Sequence, residues 1–66
     1  MNVNKLKGML VEQGMNVETL AEAIGSERSS LYRKLNNAEK ITIGEAVRIK
    51  AALKMSDADA IEIFLT

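Results

Sequence analysis

The sequence predicts an all-α domain of five short helices, and three observations carry that reading. Pro is absent and only two residues, one Tyr and one Phe, are aromatic, while residues that tolerate or favour helix dominate. Apolar side chains recur at three- and four-residue intervals, the period of a single helix face. Gly, Ser, Thr and Asn fall where helices begin and end.

Helix one is expected from about Asn4 to Gln13, with Leu6, Met9 and Leu10 on one face and Gly14 just past the last turn, where a left-handed residue is wanted. Gly8 inside it costs about 1 kcal/mol against Ala and so marks a close backbone contact. Asn16 caps helix two, Met15 and Leu20 have the spacing of a hydrophobic staple, and Gly25 ends the helix after Leu20, Ala21 and Ile24. Ser26 caps helix three, Glu27 to about Leu35, with Leu31 and Leu35 inward and Arg28, Ser29, Tyr32 and Arg33 together on the opposite face.

A polar loop from Asn36 to Ile41 follows. Thr42 and Glu45 form a capping box for helix four, whose Ile43, Ala46, Val47, Ile49 and Leu53 are expected to face the core. Ser56 caps helix five, with Asp57 and Asp59 in the first turn, where the helix dipole favours acids. Ile61, Ile63, Phe64 and Leu65 then make its end apolar nearly all round, more than a solitary surface helix needs.

A chain of 66 residues reads as one domain, 1–66, with a thin core; a domain this small buries only about 60% of its unfolded surface. It has no Cys, which excludes a disulfide scaffold or a thiolate metal site, and no His, which removes the commonest metal ligand and general base. An enzyme, a cofactor or a small-molecule ligand is therefore not expected. No apolar run approaches the ~20 residues of a membrane span and the start does not resemble a signal peptide, so a cytoplasmic, nucleoid-associated protein is expected.

The formal net charge is zero, but it is unevenly spread. Residues 1–25 have a balance of −1, residues 26–54 of +4, and residues 55–66 of −3. A basic middle segment suits a polyanion despite the neutral total.

Between helices two and three only Gly25 and Ser26 intervene, so the two helices must cross steeply; small Ala21 permits close approach, and Leu20, Ile24 and Leu31 fill the angle. Leu20-Ala21, Ile24-Gly25 and Leu31 in this five-helix frame resemble the helix-turn-helix of the lambdoid phage repressor and Cro family, also called the XRE family. The likeness extends to small phage-encoded regulators whose third helix has a Ser-rich start followed by Tyr-Arg-Lys-Leu, here Tyr32 to Leu35. One departure is Lys34, which stands where that family has its second buried residue of the helix; Leu35 is expected to take over that role.

The resemblance implies a compact five-helix lambda-repressor-like fold and a transcriptional regulator that binds operator DNA. Arg28, Ser29, Tyr32 and Arg33 would then read base edges in the major groove, since an Arg fork matches the two acceptors of guanine and Ser can donate or accept. Backbone N–H groups near Asn16, Val17, Ser26 and Glu27, with Lys34 and Lys40, would hold phosphates. A homodimer is expected, because two related modules read half-sites about 34 Å apart; Ile61, Ile63, Phe64 and Leu65 are the candidate contacts. The plainer readings are that the cations merely solvate a helix face and that Phe64 and Leu65 cover helix one. A protein-interaction module for an acidic partner is the alternative function.

Overall fold

Four of the five helices begin where a short polar side chain replaces a missing backbone partner. A computed structural model of the chain describes residues 1–36 and 41–65, and among these it has α1 (Val3–Glu12), α2 (Val17–Ile24), α3 (Arg28–Asn36), α4 (Ile43–Ala52) and α5 (Asp57–Phe64), with no strand. The all-α, five-helix expectation is met.

Asn2 Oδ1 accepts from the Lys5 N–H at 3.1 Å, and Ser56 Oγ accepts from the Asp59 N–H at 3.1 Å. Two reciprocal capping boxes open α2 and α4. In α4, Thr42 Oγ1 accepts from the Glu45 N–H at 3.1 Å while Glu45 Oε1 accepts from the Thr42 N–H at 2.9 Å. In α2, Thr19 takes the part that Glu or Gln usually plays: its N–H donates to Asn16 Oδ1 at 2.9 Å and its Oγ1 accepts from the Asn16 N–H at 2.8 Å.

Three helices close with the same double hydrogen bond, the Schellman arrangement. The outer bonds are Met15 N–H to Leu10 O, Ser26 N–H to Ala21 O and Met55 N–H to Lys50 O, at 2.8, 2.9 and 2.9 Å. The inner ones come from Gly14, Gly25 and Lys54, each in the left-handed region at φ 67°, 70° and 51°. Gly takes this conformation without cost, whereas Lys54 is strained by its Cβ.

The same turn corrects the start of α3. Ser26 is not its cap, because the first helical bond runs from the Leu31 N–H to Glu27 O at 3.0 Å, which puts Glu27 at the cap position, while the Ser26 N–H closes the turn on Ala21 O. Three residues, 25–27, therefore join α2 to α3, and the helix begins at Arg28 rather than Glu27.

Leu6, Leu10, Leu20, Leu31, Ile49, Leu53 and Ile63 are fully enclosed, with Val17, Ala21, Ile24, Leu35 and Met55 completing the core. α2 packs on α3 and on α4, and α1 packs on α5. Ionic and polar ties reinforce the α1–α5 contact: the Asn2 N–H donates to Ile63 O at 2.7 Å, and Lys5 pairs with Glu62 and, at 3.2 Å, with Asp59. The Glu62 carboxylate, more than Asp59, raises the Lys5 pKa above its ordinary value. Gln13 Nε2 donates to Leu53 O at 2.8 Å and joins the ends of α1 and α4.

Three expectations fail here. Ile43 and Val47 are 85% and 60% exposed, because the inward stripe of α4 is Glu45, Ile49 and Leu53, on the far side of the helix. Ile63 is fully buried in the core, so it cannot be a dimer contact as expected. Gly8 has no neighbour within 4 Å of where a Cβ would stand, so no close backbone contact explains it. Among the described residues no helix is long and apolar enough to cross a membrane.

Two stabilising substitutions follow from the backbone. Gly8→Ala removes a helix-interior Gly at an open position and is expected to add about 1 kcal/mol, or about 4–8 °C in thermal midpoint for a domain of this size. Lys54→Gly relieves the left-handed strain and is expected to add roughly 0.5–1 kcal/mol after allowing for the greater freedom of unfolded Gly. Circular-dichroism melts check both, and a loss of stability in either variant contradicts the assigned backbone geometry.

Candidate nucleic-acid interface

The polar face of α3 exists because its other face is locked. Leu31 and Leu35, one turn apart, are buried in the core, which fixes the rotation of the helix and leaves Arg28, Ser29, Tyr32 and Arg33 all exposed. Leu35 thus takes the inward place that Lys34 leaves. The nine residues of α3 make a rod about 14 Å long at 1.5 Å per residue, and Gly25 at φ 70° sets the direction in which it leaves α2.

α3 is also the helix without a side-chain cap among the described residues. Its first turn contains no acid, although Glu27 just before it is exposed. An uncapped N-terminus keeps the partial positive charge of its N–H groups available to an anion.

The other expected anchors are placed unevenly. The Asn16 N–H donates to Thr19 Oγ1 and the Ser26 N–H to Ala21 O, so both are engaged in the turn itself rather than open for a phosphate. Val17 opens α2 with its side chain buried. Lys40 lies outside the described residues.

Lys34 turns along the surface to the next helix. Its Nζ donates to Glu45 Oε2 at 2.5 Å, and Glu45 is a buried acid whose second oxygen serves the α4 capping box. The Lys34 ammonium first, and the Thr42 N–H second, hold the Glu45 carboxyl below its ordinary value. No buried side-chain nitrogen or oxygen among the described residues lacks a partner. The pair links the candidate interface helix to α4, so Lys34 has a structural use that its sequence position does not reveal.

The two arginines differ. Arg28 Nη1 pairs with Glu18 Oε1 on α2, yet the Arg28 side chain remains 68% exposed. Arg33 has no carboxylate partner among the described residues and makes only a long hydrogen bond, 3.3 Å, from Nη2 to Ser30 Oγ. Tyr32 stands exposed between them on the same face.

Away from α3, an open apolar groove of about 790 Å³ runs between α4 and α5. Ile43, Val47, Ile61, Phe64 and Leu65 line it, and Ile61 and Leu65 are 56% and 77% exposed. Two of these residues, Ile43 and Val47, are ones the sequence pattern predicts to face the core.

Residues 5–64 match the Cro/C1-type HTH DNA-binding domain. No curated protein and no solved structure matches the chain significantly.

Lys34→Ala leaves the Glu45 carboxylate buried with its capping contacts alone and is expected to cost about 1–3 kcal/mol. The Glu45 contribution has a definite pH sense: a depressed carboxyl stabilises the fold above its ordinary pKa of 4.5 and loses that stabilisation as pH falls through the lower folded value. Urea titrations from pH 7 to pH 2 are expected to show a stability loss in the acid range that is smaller in Glu45→Gln. An equal acid loss in that variant contradicts the role of the pair.

Proposed function

The chain belongs to the Cro/C1-type helix-turn-helix DNA-binding family, and from that premise we propose that it is a sequence-specific, cytosolic transcriptional regulator of the phage Cro and repressor kind. It reads the major groove of duplex DNA with α3. The observation that carries the reading is the uniformly exposed polar face of Arg28, Ser29, Tyr32 and Arg33 on a helix whose opposite face is fixed by Leu31 and Leu35.

The dimensions suit the task. A major groove about 12 Å wide admits one helix, and a rod of about 14 Å spans roughly four base pairs at 3.4 Å each. Arg33 and Arg28 each present a fork for the O6 and N7 acceptors of guanine, Ser29 donates or accepts, and Tyr32 meets a thymine methyl group or a phosphate. The uncapped start of α3 at Glu27, the start of α2 at Val17, and Lys40 approach the phosphates.

We further propose that two copies act together. The longest extent of the described residues is 27 Å, less than the ~34 Å between half-sites one helical turn apart, so one copy reads one half-site. The α4–α5 groove is the candidate contact. A twofold pairing of α4 with the partner's α5 across the groove covers the exposed apolar side chains of Ile43, Val47, Ile61 and Leu65.

Selection from random duplex DNA at low and moderate salt tests the reading. A defined sequence whose binding survives added salt is expected; equal binding to all duplexes that vanishes with salt contradicts it and favours an acidic protein partner. On the selected duplex, Arg28→Ala and Arg33→Ala are each expected to cost about 1–3 kcal/mol and relax preference at one base pair, whereas Lys40→Ala weakens all sequences alike. Val47→Glu or Ile61→Glu is expected to abolish binding of the second copy while one half-site is still bound. Sedimentation with and without duplex checks this, and unchanged stoichiometry in both variants rules out the groove.

A further inference from the structure

Glu18 is an acid at the second position of α2, on the side of the molecule proposed to approach a polyanion. Its carboxylate pairs with Arg28, the first residue of α3, ten positions away in sequence. Exposed pairs of this kind stabilise a fold very little, so the consequence of this one is positional and electrostatic. Glu22 and Ser26 border the same small cleft, and neither makes an ion pair with Arg28.

We propose that Glu18 is a specificity-determining residue that acts through Arg28. The proposal rests on the reading of α3 as the base-contacting helix. A guanidinium has five N–H donors in a rigid fork. With Nη1 committed to Glu18, Nη2 and Nε remain as donors, and those two match the two acceptors of guanine. Glu18 thus selects which donors of Arg28 are left for the groove and limits its swing toward the phosphates.

The charge balance acts in the same direction. Non-specific affinity grows with the number of phosphates neutralised, and an Arg already compensated by a carboxylate adds little to that number. Arg33, with no carboxylate partner among the described residues, supplies unspecific attraction as well as a base contact. Where the base opposite Arg28 is wrong, the guanidinium gains no fork contact, and the charge-compensated pair offers the phosphates no attraction in its place. Discrimination then comes from attraction withheld from wrong sequences as well as a contact with the right one.

The test measures dissociation constants for the full chain, Glu18→Gln, Arg28→Ala and the double variant. Each is titrated with the selected duplex, with that duplex altered at the base pair sensitive to Arg28, and with random duplex, at two salt concentrations. Glu18→Gln is expected to tighten random duplex by about threefold to tenfold, to steepen its salt dependence by up to about one phosphate contact, and to lower discrimination at the Arg28 base pair about tenfold. In the Arg28→Ala background the same substitution is expected to leave discrimination unchanged. Unaltered discrimination in Glu18→Gln overturns the proposal, as does equal tightening of random duplex in both backgrounds, which makes Glu18 a repelling charge and nothing more. If the unsubstituted chain prefers no duplex, the reading of α3 itself fails and takes this role with it. A thermal melt confirms that Glu18→Gln remains folded.

Discussion

The left-handed conformation of Gly25 is the constraint from which the rest of the structure follows. At φ 70° the backbone reverses, and the Ser26 N–H folds back onto Ala21 O, so α3 leaves α2 in a new direction within three residues. A Cβ at this position would meet no neighbour within 4 Å, so the demand for Gly comes from the backbone torsion and not from space. Leu20, Ile24 and Leu31 then fill the corner and convert a local torsion into a fixed relation between two helices.

That relation is held from the other side by α4. Lys34 and Glu45 join the back edge of α3 to the start of α4, and Glu45 belongs at once to this pair and to the capping box with Thr42. Few contacts therefore do several jobs in a small chain. The same economy shows in the ion pairs: Lys5 ties α1 to α5, Lys50 meets Asp57 at 3.0 Å, and Arg28 meets Glu18. The pairs of Arg28 and Lys50 partly neutralise the basic middle segment, and on α3 Arg33 is the cation with no carboxylate partner among the described residues.

Helix existence was legible in the sequence because caps and terminators are local chemistry. Asn16, Thr42 and Ser56 stand before amphipathic runs, and Gly14 and Gly25 stand after them. Thr19 was missed as the second half of the α2 box because the usual pattern places Glu or Gln there. The shift of the α3 start from Glu27 to Arg28 was not legible, since it depends on which carbonyl receives the Leu31 N–H. Lys54, left-handed without being Gly, was hidden for the same reason.

Facing was harder than helicity. The apolar residues of α4 spread over too much of its circumference for periodicity to choose a side, and the deciding residue is Glu45, whose burial requires Lys34 from another helix. Ile43 and Val47 therefore moved from core to surface, and Ile63 moved the other way. The exposed face of α3 was read correctly from Leu31 and Leu35 alone, but the Glu18 pairing of Arg28 joins residues ten apart and has no sequence signature. The most direct test of the central claim is amide NMR of the chain titrated with its selected duplex. Shifts concentrated at residues 17–18 and 26–33, with α1 silent, are the result this geometry requires; shifts confined to the α4–α5 groove, or none at saturating duplex, contradict it.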